Sequence, residues 1–220
     1  MYYFRRNQWF HDTHVSNIQF FRCNEIMLST SYDETNDKFI CSSPPIVPWH
    51  QITSIQIPQP FDSTLLHRLI SKLTNIRKLQ LEYLNIDYCE PYLKEKTLIT
   101  IINDVSLCNM LMANGLRQLN LSVQEVFHTS NWVEFANLIV ERLFHLEIME
   151  LDGFSYQLIE MTPVLINGLS KLNFLTFIGN FQEGQINEKK LHDLQNSIIR
   201  PFRTEVPDAT QDNQTVLIWL

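Results

Sequence analysis

A six-residue pattern, apolar-x-x-apolar-x-apolar, recurs five times in this chain and limits its possible folds more than any other feature. The copies are Ile52-Thr-Ser-Ile55-Gln-Ile57, Ile76-Arg-Lys-Leu79-Gln-Leu81, Leu116-Arg-Gln-Leu119-Asn-Leu121, Leu146-Glu-Ile-Met149-Glu-Leu151 and Leu172-Asn-Phe-Leu175-Thr-Phe177. Their starts lie 24, 40, 30 and 26 residues apart, and Leu73, Leu143 and Leu169 each stand three residues before a copy. Repetition at such spacing means one strand-bearing unit stacked on the next, because a single unit cannot bury its apolar face alone.

Helical periodicity fills the intervals. Asp62 caps a segment with Leu65, Leu66, Leu69, Ile70 and Leu73 on one face. Residues 97–113 carry Leu98, Ile101, Ile102 and Val105, and Asn114-Gly115 supplies a left-handed stop. Asn131 and Glu134 resemble a capping box ahead of Trp132, Phe135, Leu138, Ile139 and Leu143. Thr162-Pro163 reads as an N-cap with proline at the first helical position, before Val164, Leu165 and Leu169. A last helix starts at Asn187, carries Leu191, Leu194 and Ile198, and is closed by Pro201. Alternating strand and helix predicts parallel strands with crossover helices. The strands are too short and interrupted for a doubly wound sheet or closed barrel, so the expectation is an α/β solenoid of about five strand–helix repeats.

The segments Leu73–Leu81 (LTNIRKLQL), Leu143–Leu151 (LFHLEIMEL) and Leu169–Phe177 (LSKLNFLTF) resemble leucine-rich repeats. Their helical crossovers and uneven lengths are similar to the repeat region of F-box/leucine-rich-repeat proteins, over residues 50–200. The consensus asparagine eight residues into a repeat is met at Asn180, while Pro60, Leu84, Gln124 and Phe154 hold that place elsewhere. The resemblance implies an irregular leucine-rich-repeat-like solenoid. It also implies substrate recognition for a ubiquitin ligase when an F-box is supplied elsewhere, since these 220 residues contain no Leu-Pro opening of the F-box type.

Residues 1–50 depart from the rhythm and are expected to form a β-rich N-terminal cap, with residues 51–220 as the solenoid and its terminal strand. Val15–Cys23 fits a repeat, and Glu25–Ser31 and Lys38–Cys41 flank the turn-rich Asp33–Asp37 as a hairpin. At the other end, Thr215-Val-Leu-Ile-Trp-Leu220 is β-prone and is expected to pair with the last repeat as an edge strand.

Composition narrows the function. Leu and Ile make up 50 of 220 residues, which suits a repetitive core, while glycine contributes five against a usual frequency of about 7%. Phosphate-cradling loops depend on glycine, so nucleotide-binding enzymes are disfavoured. Seventeen Lys+Arg against twenty-four Asp+Glu leave a net charge of −7, which argues against nucleic acid and anionic membranes as partners. No secretory leader or transmembrane segment is evident. Cys23, Cys41, Cys89 and Cys108 show no CxxC spacing and read as buried free thiols. Asn120 and Asn213 head sequons, but Asn120 lies within a strand and makes a poor glycan acceptor. The chain is therefore expected to be intracellular, cytoplasmic or nuclear.

Reactive constellations are thin. His11-Asp-Thr-His14 could offer two metal ligands but reads as two surface histidines. Gly179-Asn-Phe-Gln-Glu-Gly184-Gln-Ile has P-loop glycine spacing without the following Lys and Ser/Thr. Arg5-Arg6 among Tyr2, Tyr3, Phe4 and Trp9 reads as an amphipathic edge, with base stacking as the other use. No GxSxG elbow occurs. The expectation is a non-enzymatic protein–protein interaction module with no cofactor, metal or small-molecule substrate. The alternatives are a free-standing scaffold or decoy, and an enzyme whose site the sequence does not display.

The interaction surface follows from strand alternation. With the repeat's apolar positions turned to the helices, the intervening positions face solvent on the concave side. One row then reads Gln56, Gln80, Asn120, Glu150 and Thr176, polar throughout. Its neighbours read Ser54, Lys78, Gln118, Ile148, Phe174 and Pro58, Glu82, Ser122, Asp152, Ile178. Ile148, Phe174 and Ile178 thus form an apolar spot rimmed by Glu150 and Asp152, as at a protein-binding anchor. The candidate binding residues are Gln56, Lys78, Gln80, Gln118, Asn120, Ile148, Glu150, Phe174, Thr176 and Ile178. The competing reading is that a loop or the 215–220 segment covers the spot.

Overall fold

A computed structural model describes residues 18–22, 24–28, 48–59, 63–83, 101–123, 132–153, 158–179, 193, 196–205 and 214–220. They form an α/β protein in two compact units, divided near residue 116. The first contains β1 (Ile18–Arg22), β2 (Glu25–Leu28), a 3-10 turn at Trp49–Gln51, β3 (Ser54–Gln59), α1 (Ser63–Lys72), β4 (Lys78–Tyr83) and α2 (Val105–Ala113). The second contains β5 (Gln118–Val123), α3 (Trp132–Arg142), β6 (Ile148–Gly153), α4 (Leu158–Gly168), β7 (Phe174–Gly179), β8 (Arg203–Glu205) and β9 (Gln214–Trp219).

In the first unit the strands lie in the order β1-β2-β3-β4, with β1 antiparallel to β2 and the others parallel. In the second, β5, β6 and β7 run parallel, followed by β9 and then β8 in the order β5-β6-β7-β9-β8. All fifteen apolar positions of the five sequence repeats are buried, none more than 2% exposed. Burying an aliphatic side chain of that size stabilises by about 1.5–3 kcal/mol, so these positions are a large part of the core.

A shared backbone device sets the stacking. The carbonyl just before one strand accepts two N–H groups from the start of the next repeat. Asn24 O receives Thr53 and Ser54, and Thr53 O receives Arg77 and Lys78. In the second unit Arg117 O receives Glu147 and Ile148, and Glu147 O receives Asn173 and Phe174. Within each unit the repeats so joined are offset alike, which holds equivalent residues in register.

Local signals explain the helix ends. Asp104 caps α2 by accepting the Leu107 N–H at 2.9 Å. At the other end Gly115, at φ 92°, donates its N–H to Met112 O, and Leu116 donates to Leu111 O. This is the paired arrangement of a left-handed helix stop, with buried Leu111 and Leu116 as its apolar contact. The glycine matters here because an L side chain is strained at that φ.

Several expectations need correction. The helix drawn over 97–113 is interrupted at Asp104, whose side chain starts a new helix rather than continuing the old one. Thr162-Pro163 does not open α4, which begins at Leu158 with the proline inside it. Burial of Met161 together with Leu165, Ile166 and Leu169 favours the longer helix, despite the N–H that proline lacks. The hairpin around Asp33–Asp37 is replaced, on the side described, by β1 with β2, paired Ile18↔Leu28 through Arg22↔Glu25. Lys38–Cys41 and the turn lie outside the described residues, as do Cys23, Cys41, Cys89 and the histidines and arginines of residues 1–14.

β1 fits the repeat pattern in sequence but runs antiparallel, whereas β2 is the parallel neighbour of β3, with Ile26↔Ile55. Cys23-Asn-Glu-Ile26-Met-Leu28 is accordingly a sixth copy of the repeat, and Asn24 takes the carbonyl role. At the other end the terminal strand does pair with the last repeat, but β8 lies beyond it, so β9 is not an edge. Of the last expected helix, Asp193, Asn196 and Ser197 are helical and Ile198 is buried past its end. Asn167 of α4 holds this segment by accepting the Ile199 N–H and donating to Ser197 O. Arg200 donates to the carbonyls of Leu169 and Leu172.

Candidate protein-binding face of the second unit

With Met149, Leu151, Leu175, Phe177, Val216 and Ile218 buried, strand alternation turns the intervening residues to the opposite face of the sheet. One row pairs Gln118↔Ile148↔Phe174↔Trp219↔Arg203 across the five strands. The next pairs Asn120↔Glu150↔Thr176↔Leu217↔Glu205, and a third pairs Ser122↔Asp152↔Ile178↔Thr215. The registers expected from the repeat hold in every one of these parallel pairs.

Ile148 is 36% exposed and Trp219 46%, with Phe174 half-buried between them. The Phe174 and Trp219 rings stack obliquely, centroids 4.3 Å apart. The 215–220 segment therefore does not cover the apolar spot; it adds Trp219 and the half-buried Leu217 beside it. Ile178 is half-buried opposite Thr215.

Polar groups on this face are held in place. Gln118 Nε2 donates to Asn120 Oδ1 at 2.9 Å, and Asn120 Nδ2 donates to Glu150 Oε1 at 3.0 Å. Ser122 Oγ donates to Asp152 Oδ2 at 3.2 Å. The expected solvent-facing row is corrected at two positions: Asn120 is 5% exposed and Thr176 6%. Asn120 lies between the two side chains it bonds, Gln118 and Glu150. Thr176 is a short side chain with Phe174 and Ile178 beside it on its strand and Leu217 across from it. Neither offers much surface to a partner.

At the turns leading into β5 and β6, Arg117 pairs with Glu147 at 3.6 Å. His145 stacks against exposed Phe144, and desolvation, then the Lys171 and Arg117 cations, hold its pKa below the usual imidazole value.

The first unit has a different face. Ser54↔Lys78 and Gln56↔Gln80 stand in register, all four side chains half-buried. Ser54 donates to Glu25 Oε1 at 3.0 Å, and Asn24 Nδ2 donates to Thr53 Oγ1 at 3.0 Å. Lys78, Gln56 and Gln80 thus belong to a polar surface of this unit. Elsewhere in this unit His67 Nε2 meets Asp104 Oδ2 at 2.5 Å, joining α1 to the cap of α2. Burial alone would raise the Asp104 carboxyl, but the Leu107 N–H, His67 and the Ser106 N–H outweigh it and set its pKa below the ordinary value. The buried Cys108 thiol donates to the carbonyls of Ile102 and Ile101, at 3.4 and 3.7 Å.

Among the described residues no cluster of three or more His, Cys, Asp or Glu side chains could hold a metal ion, and no helix is long and apolar enough to cross a membrane. No family profile matches the chain, and no curated protein matches it.

Sequence reasoning missed Trp219, Leu217, Arg203 and Glu205. The alternation in Thr215-Val-Leu-Ile-Trp-Leu220 places 215, 217 and 219 on one side, but which side needs the partner strand.

Proposed function

We propose that the chain is a leucine-rich-repeat-like binding module, an irregular solenoid of strand–helix repeats whose sheet face recognises another protein. The observation that carries this reading is the Ile148–Phe174–Trp219 row, an exposed apolar strip set among anchored polar side chains. Aromatic anchors inside a polar rim are the usual energetic centre of a protein interface. Stacked repeats with a common carbonyl offset support the repeat-protein part of the reading. Substrate recognition for a ubiquitin ligase is the task that the F-box/leucine-rich-repeat resemblance implies for such a face.

The test is affinity capture from cell extract with the wild type beside an Ile148→Glu, Trp219→Glu double variant whose fold is checked by circular dichroism. The expected result is loss of specific partners from a folded variant. A folded variant that keeps every partner refutes the reading, and ligase subunits captured with the partner support the ubiquitin link.

A further inference from the structure

At the end of the second unit's sheet a short strand covers a hazardous one. β9 reads Gln214-Thr-Val-Leu-Ile-Trp219, with no charge, proline or glycine. Thr215, Val216, Ile218 and Trp219 are β-branched or aromatic, so the run has the composition of segments that pair with copies of themselves. As the edge of a sheet it would offer its backbone to a second chain. Among the described residues the strand that occupies this place is β8, the last in the order β5-β6-β7-β9-β8.

β8 is three residues long, it carries exposed Arg203 and Glu205, and Pro201 lies two residues ahead of it. Each of these features discourages a further strand. The same shortness gives β8 little hold of its own, since it meets β9 through three residue pairs. Its anchorage lies just upstream. Asn167, next to last in α4, accepts the Ile199 N–H at 3.0 Å and donates to Ser197 O at 3.2 Å. Arg200 Nη1 and Nη2 donate to Leu169 O and Leu172 O, in the turn between α4 and β7, at 2.9 and 3.0 Å. A cation is favoured at that helix end, and a planar guanidinium bridging two carbonyls fixes the chain that follows it. Ile198, between these contacts, is buried.

We propose that residues 197–205 form a latched edge guard. Asn167 and Arg200 hold β8 against β9, and release of the latch opens β9 to pairing with β9 of a second copy. The second copy is the fitting occupant because an uncharged strand meets an identical one with no like charges opposed. The device acts on the edge of the sheet, so it operates whether or not the face binds a partner.

The test is an Asn167→Ala, Arg200→Ala double variant of the full chain, its fold checked by circular dichroism. Amide exchange at residues 203–205 should speed up at least about tenfold while β6 and β7 keep their protection. Sedimentation should then show concentration-dependent association that the wild type lacks at the same concentration. Adding Thr215→Lys should suppress the association and leave the exchange fast, because a lysine in the strand opposes strand pairing. Adding Ile148→Glu instead, two strands from β9, should leave the association intact.

Unchanged exchange at residues 203–205 overturns the latch, and fast exchange without association overturns the guard. Association that Ile148→Glu abolishes and Thr215→Lys does not lies on the face of the sheet, and the proposal falls. If the double variant does not fold, the wild type decides: in dilute urea residues 197–205 should lose protection together and before β7. Protection there as lasting as in β7 overturns the latch.

Discussion

The two units share a skeleton and differ in their exposed faces. Ile55, Ile57, Leu79 and Leu81 in the first do the same work as Met149, Leu151, Leu175 and Phe177 in the second, each fully or almost fully buried. On the other side of the sheet the first unit sets Ser54, Gln56, Lys78 and Gln80, while the second sets Ile148, Phe174, Leu217 and Trp219. Strands of one length and buried pattern thus carry unrelated surfaces, because the buried positions alone are constrained by packing. The second unit differs also in how it ends: β9 reverses direction beside β7 and supplies the largest side chain of the strip.

The sharpest way to test the shared skeleton is to cut it in both units. Leu79→Ala and Leu151→Ala should each cost about 3 kcal/mol in urea denaturation, since each removes a fully enclosed side chain. A much smaller loss in one unit would mean that its repeats are not packed as the other's are. Next in size is a contact peculiar to the second unit. A Cβ at Gly168 would lie 2.6 Å from Val140 Cγ1, so Gly168→Ala should destabilise by about 1–3 kcal/mol, with partial recovery when Val140→Ala is added. No recovery would place the cost elsewhere.

In the first unit Asp104→Ala should cost about 1 kcal/mol, the typical value of a helix cap. Its pKa in the folded state is lowered, so the unfolded chain binds the proton more tightly. The stabilisation is then complete above the ordinary carboxylate pKa and is lost as pH falls through the lowered folded value. A plot of stability against pH should flatten in that acid range for the variant; an unchanged slope sinks the assignment. Smallest in stability is the contrast between faces. Gln80→Ala and Ile148→Ser should each shift stability by about 0.5 kcal/mol or less. Only Ile148→Ser should weaken partner capture, and an equal loss from both would erase the distinction between the units.

Most of the scaffold was legible because the repeat is a local statement about burial. Ile52, Ile55 and Ile57 announce a strand by their spacing, and copies of the pattern announce parallel register by their similarity. Cys23–Leu28 carries the same spacing, but Val15–Cys23 matches the pattern as well and overlaps it at Cys23, so spacing alone does not choose between them. Thr162-Pro163 misled because a proline suits the first turn of a helix, and the decisive burial of Met161 lies before it. The candidate site was half legible: Ile148 and Phe174 follow from strand register, whereas Asn120 and Thr176 are polar in sequence but enclosed by their neighbours.

By itself the sequence determined that the apolar repeat positions are buried, that strands and helices alternate, and that equivalent repeat positions align in rows. These follow from periodicity, which needs only near neighbours along the chain. Tertiary structure alone decided that Trp219 stands next to Phe174, that Arg203 and Glu205 continue the rows, and that Asn120 gives up its exposure to a hydrogen bond with Glu150. Those contacts join residues far apart along the chain, Asn120 with Glu150 and Phe174 with Trp219 among them, and no local pattern specifies which strand a distant segment will pair with or in which direction.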